Sequence, residues 1–300
     1  MIKSLVYENM PTWLSTNKLS ENTKKKYRHR ILKEDIANRP LALEELKKIV
    51  NIAHDDARLR LRNAFDNTLD PLLGEGESSY DPAEGYPHIF DMKTLKGYFG
   101  EIFSGLIVEN YAPFGDERWK VPVFSFRYHE IAFDQLEMMM QTGEKINTIP
   151  GRTGDDCLAF VLEDDQIIKI LFCEAKCTAA SHESMISSAH EKISGTNIIP
   201  VEIRRMIELL RDYDGDEVLK WRKALWKLRA KDEIQENQRF DLVSYVCGKS
   251  PVRPVTRTSW IPSQEPHKSY SVNRSLEAVE VHLNDVEGII REVYGKEEEG

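Results

Sequence analysis

The chain is short of positive charge. Its 300 residues hold 41 Lys and Arg against 50 Asp and Glu, a formal net charge of −9. Such a surface does not draw nucleic acid to it as a whole, so any DNA contact needs a local basic groove, a bound cation or a basic partner. Cysteine is also scarce. Cys157, Cys173, Cys177 and Cys247 form no CxxC pair, and no Cys/His cluster has the spacing of a structural zinc site. They read as buried free thiols, and a reducing cytoplasm is the expected compartment. No run of about 18 apolar residues could span a membrane, and the first residues lack the apolar core of a signal peptide. GxSxG, HExxH, Walker A and GxGxxG motifs are absent, which argues against common serine hydrolases, zinc proteases and nucleotide-binding enzymes.

What remains is an ordinary globular composition, 41% hydrophobic and 30% charged, in a chain long enough to bury a core. Residues 1–40 are polar, and the basic run from Lys24 to Arg30 sits in a stretch compatible with a helix that Pro40 would stop. Residues 41–66 carry Leu43, Leu46, Ile49, Ile52, Ala53 and Ala57 at helical spacing, and residues 67–88 are rich in Gly, Pro and Ser, which predicts a loop. A second helix is expected from about residue 92, with Glu101 beside its apolar stripe. A carboxylate there needs a partner or a cation, because burying it unpaired is costly.

Residues 121–128 are a strand candidate. After the turn at 150–154, the apolar runs 157–162 and 167–175 flank a polar four-residue connection, the pattern of a β-hairpin. Helices are expected over 181–193, within 200–236 and over 285–295, with strands at 240–248 and 276–284. The order predicts an α+β or mixed α/β fold with a central sheet flanked by helices.

The hairpin carries the chemistry. Glu174 and Lys176 are two apart on a strand, so their side chains share a face with Ile170 and Phe172. Asp156 begins the opposing strand, and the hairpin returns Glu174 to its side. Asp155 competes for the same role, and Asp156 is favoured because it shares strand parity with Leu158 and Phe160. Two carboxylates bind Mg2+ through oxygen, the metal activates a water, and a nearby lysine orients it or stabilises the transition state. Glu101, on the preceding helix, is a candidate third carboxylate. A lone helical His190 reads as packing rather than as an acid or base.

Glu101, Asp156 and Glu174-Ala175-Lys176 together resemble the PD-(D/E)XK nuclease superfamily. The resemblance implies a restriction-endonuclease-like core, with Asp156, Glu174, Lys176 and Glu101 catalytic and Asp156, Glu174 and Glu101 holding Mg2+, for which Mn2+ would substitute. It divides the chain into a helical N-terminal region, 1–90, and a nuclease-like domain, 91–300, with insertions at 129–149, 200–236 and 249–273. Residues 92–195 and 276–295 are further similar to the nuclease-subunit family of the Hachiman anti-phage defence system. That similarity implies DNA cleavage with little sequence specificity, controlled by a superfamily 2 helicase partner, with no membrane involved. The Met138–Met140 cluster in 129–149 has no place in the pattern. Two other readings stand beside this one: a catalytically silent nuclease-fold adaptor for a helicase, and a helical scaffold with an unrelated sheet and no metal affinity.

Overall fold

In the computed structural model, residues 5–64, 81, 83–124, 156–251 and 258–296 are described. They build a mixed six-stranded sheet in the order β1-β2-β6-β5-β4-β3. The strands are β1 (Leu14–Asn22), β2 (Tyr27–Glu34), β3 (Cys157–Glu163), β4 (Gln166–Thr178), β5 (Arg239–Cys247) and β6 (Ser275–His282). The four inner strands run parallel, and each edge strand is the antiparallel arm of a hairpin.

The N-terminal region differs from the sequence expectation. Among the described residues before Arg39, a four-residue helix, α1 (Met10–Trp13), leads into the β1–β2 hairpin, and the basic run bends through a short turn into β2. The run is turn and strand rather than helix, with Lys24, Lys25 and Lys26 exposed and His29 and Arg30 buried. His29 pairs with Glu280 at 2.8 Å, and Arg30 pairs with Glu277 at 3.0 Å, both partners being buried on β6. Because β2 lies parallel against β6, the β1–β2 hairpin shares one sheet with the later strands, so the described part of 1–90 is not purely helical. Helix α2 (Arg39–Ala64) follows as expected.

Helices cover both faces. On one, α2, α3 (Met92–Tyr111) and α7 (Val286–Val293) pack over Leu171, Cys173, Leu242 and Val279. On the other, α4 (Glu183–Ile193), α5 (Glu202–Leu209) and α6 (Asp216–Arg229) pack over Ile170, Phe172, Val243 and Ala278. The strands feeding both layers are apolar on both sides, as parallel strands between two helical layers must be. Among the described residues, no helix is long and apolar enough to cross a membrane.

Two local features set the phase of the β3–β4 hairpin. Glu163 pairs with Gln166, so the connection is only Asp164 and Asp165, at φ 48° and 58°. Aspartate tolerates the left-handed region better than most residues, and two such residues match the strand twist. Further along, Leu162 pairs with Ile167 but Val161 pairs with Lys169, so Ile168 is an extra residue in β4, a bulge. Residues 121–124, the described part of the strand expected at 121–128, are not in a strand, and the pairing nearest to them is an isolated bridge of Lys120 with Phe160; 125–128, Asp155 and the 129–149 segment lie outside the described residues.

The end of α4 is fixed from the sheet. Asp241 on β5 is fully buried and accepts from Arg239 at 3.0 Å, from Arg274 at 3.1 Å and from the Tyr270 hydroxyl at 2.8 Å. Both guanidinium groups donate onward to the Ile193 carbonyl at 3.1 Å, and Arg274 also reaches that of Gly195 at 2.9 Å. Cations at the carbonyl end of a helix complement its dipole as well as its unpaired acceptors. Asp241→Asn leaves two buried guanidinium groups without their anion, which costs about 3–5 kcal/mol. Urea denaturation should show this as a lower midpoint with the slope unchanged.

Candidate functional site

Asp156 stands one step before the Cys157–Cys173 pair, which sets it opposite Glu174. Alternation along β4 puts Glu174 and Lys176 on the face of Ile170 and Phe172, toward α4. Each side chain is held. Asp156 Oδ2 accepts from the Ala175 N–H at 2.9 Å, and Glu174 Oε1 accepts from Lys176 Nζ at 2.6 Å. The Asp156 backbone N–H donates to the Cys173 carbonyl at 3.1 Å, which locks the start of the strand. The structure therefore brings together Asp156, Glu174 and Lys176, three of the four residues singled out from the sequence.

It adds a fourth that the sequence reading missed. Lys192, in the last turn of α4, reaches back over the sheet. Its Nζ lies 3.3 Å from Asp156 Oδ1 and makes a closer ion pair with Glu174 Oε2. The contact with Glu174 Oε2 lacks hydrogen-bond geometry, so this buried oxygen has an electrostatic partner but no donor aimed at it. The signal in the sequence was slight. Ile186, Ala189, His190 and Ile193 form the buried stripe of α4, and Lys192 sits at its border. A lysine in a last helical turn reads first as a dipole partner.

Glu101 does not join this group. It is buried on α3, and α3 packs on the other face of β4, where Gly100 sits close to Ala175 and Cys177. Its charge is felt at Cys157 and at Tyr294. Among the described residues, no three His, Cys, Asp or Glu side chains are grouped to hold a metal ion. The expected set of three carboxylate ligands is thus reduced to two, Asp156 and Glu174.

Electrostatics separate these two carboxylates. Glu174 is fully buried, and that burial, then the neighbouring Asp156, push its pKa up to about 7 against the pull of Lys192 and Lys176. A carboxylate pair under that strain gains from any cation placed between its members. The donor set suits Mg2+, a hard ion that binds proteins through one or two carboxylates and keeps water or phosphate on its other sides. The fully buried Glu174 Oε2, with no donor aimed at it, is an atom such an ion would satisfy.

His190 is a packing residue in the structure too. Its Nδ1 is 2.8 Å from the Ile186 carbonyl, its Nε2 is buried without a partner, and its ring lies 5.1 Å from that of His267. Burial lowers its pKa from 6.5 to about 4, with the Ile186 carbonyl opposing. Between those values the unfolded chain binds a proton that the folded chain refuses. The resulting stability is complete above about pH 6.5 and is lost as pH falls toward 4. Unfolding free energies across this range should show His190→Leu with a shallower acid slope than wild type.

Comparison with protein-family models finds no match, and comparison with curated proteins finds no relative. The site itself consists of two apposed carboxylates and two lysines where a strand pair meets the end of a helix.

Proposed function

We propose that this protein is a metal-dependent DNA endonuclease of the PD-(D/E)XK type, with a restriction-endonuclease-like core. The observation that carries the reading is the meeting of Asp156, Glu174 and Lys176 on one sheet face, although 18 residues of chain separate the carboxylates. Asp156 and Glu174 would hold Mg2+ or Mn2+. When bound, the metal supplies charge neutralisation at a phosphate and acidifies a water. Lys176 is held by Glu174 at 2.6 Å, with its side chain 21% exposed. From that position its ammonium can orient the attacking water and stabilise charge on the phosphoryl oxygens. The buried side of the site is apolar, with Phe172 and Ile170 behind Glu174, so charges at its mouth act through little water.

The chain's charge of −9 bears on partners. A protein this acidic binds DNA weakly unaided, so the reading includes a superfamily 2 helicase that brings DNA to the site, as in an anti-phage defence complex. One observation favours a second reading. Lys192 and Lys176 together already offset Asp156 and Glu174, and a self-neutralised cluster also suits a silent, nuclease-fold adaptor that only docks on the helicase.

Cleavage of plasmid DNA by the protein with its helicase separates the two. The nuclease reading expects cutting that needs Mg2+ or Mn2+ and falls by at least about 100-fold in both Glu174→Gln and Lys176→Ala, with circular dichroism unchanged. Equal cutting by wild type and both variants would discard the site, and no cutting by the wild-type complex would favour the adaptor.

A further inference from the structure

Resting on the metal-dependent reading above, we propose that Lys192 is the internal counter-ion of the carboxylate pair. It fills the cation's seat and must leave before a divalent metal binds. Lysine and metal would share the same oxygens. On each carboxylate one oxygen is committed elsewhere, Asp156 Oδ2 to the Ala175 N–H and Glu174 Oε1 to Lys176. The other two, Asp156 Oδ1 and Glu174 Oε2, both face the Lys192 ammonium. A cation coordinated by Asp156 and Glu174 takes those same two oxygens, so lysine and metal compete for one place.

Charge favours exchange over addition. With both carboxylates ionised, they and Lys176 and Lys192 sum to zero. Lys176 stays on Glu174 Oε1, outside the shared place, whereas a divalent ion entering between Asp156 Oδ1 and Glu174 Oε2 would be pressed against the Lys192 ammonium in a poorly solvated site, where Coulomb terms are several-fold larger than in water. The exchange also has a route. The Lys192 side chain is 27% exposed, whereas those of Asp156 and Glu174 are 4% and 0% exposed. Its flexible stem can swing outward while the helix end stays where Arg239 and Arg274 hold it. At Glu174 Oε2 the ammonium contributes one charge as an ion pair, where a divalent ion would contribute two.

Mn2+ binding to the full chain tests this, read by electron paramagnetic resonance and by thermal unfolding in EDTA and in Mn2+. Lys192→Met should bind Mn2+ with a Kd lower by at least about tenfold, because the competing state is gone. Its Tm in EDTA should fall below that of wild type, and Mn2+ should restore more than it adds to wild type. Should this variant not fold, acetylation footprinting of the wild type decides. Lys192 should label several-fold faster in Mn2+ than in EDTA, while Lys33, exposed on β2, keeps one rate. Glu174→Gln identifies where the ion sits. If wild type binds Mn2+ in a Glu174-dependent way but a folded Lys192→Met binds no tighter, the counter-ion role is overturned and the metal site stands. An unchanged Lys192 labelling rate has the same meaning where the variant does not fold. If neither wild type nor Lys192→Met binds Mn2+, or if Glu174→Gln leaves binding unaltered, the metal site and the counter-ion role fall together. Binding by Lys192→Met alone would support both.

Discussion

Asp241 holds two arginines on one buried carboxylate, and much of the site's geometry is relayed through that arrangement. The aspartate belongs to β5, its arginines come from β5 and from the segment before β6, and both arginines end on the carbonyls that close α4. Isolated charges at this depth would be intolerable, and together they satisfy one another and the helix end. The consequence is positional. Lys192 is one residue before Ile193, whose carbonyl takes both guanidinium groups, so the helix turn that delivers the lysine is tied to the strand beside Glu174. A parallel case lies on β6. Burial alone would raise the pKa of Glu280, but hydrogen bonds from His282, His29 and the Trp260 N–H outweigh it and bring it to about 2. The sheet thus carries several internal ion groups, each linking distant segments, in a chain whose overall charge is negative.

How much of this was legible in the sequence depended on whether a signal was local. The β3–β4 hairpin could be read because apolar runs on each side of a polar connection are a short-range pattern, and strand parity then put Glu174 beside Lys176 without further information. The late strands, α2 and α3 were legible for the same reason. The N-terminal hairpin was not. Its Lys24–Arg30 run read as compatible with a helix because Glu277 and Glu280, the groups that pair with Arg30 and His29, lie at the far end of the chain. A buried charge cannot be told from an exposed one until its partner is known.

The same limit applied inside the site. Glu101 was correctly placed on a helix beside its apolar stripe, yet helix and strand assignments do not say which sheet face a helix covers. α3 covers the face opposite Glu174, and the Glu101 charge is felt at Cys157 and Tyr294. Lys192 showed the reverse. It lay in a helix that the sequence identified, but its reach across to Asp156 depends on where that helix ends, and the buried arginines set that end.

The bulge at Ile168 has a further consequence. With the same tight turn and no extra residue, every pairing beyond it would move by one, and Asp156 would come opposite Cys173 instead of Glu174. Since neighbouring residues on a strand point to opposite faces, the two carboxylates would then lie on different sides of the sheet. A single inserted residue, remote from the charged groups and itself chemically inert, acts as a phase shifter. The extra isoleucine converts two well-formed strands into a pair whose acidic side chains coincide.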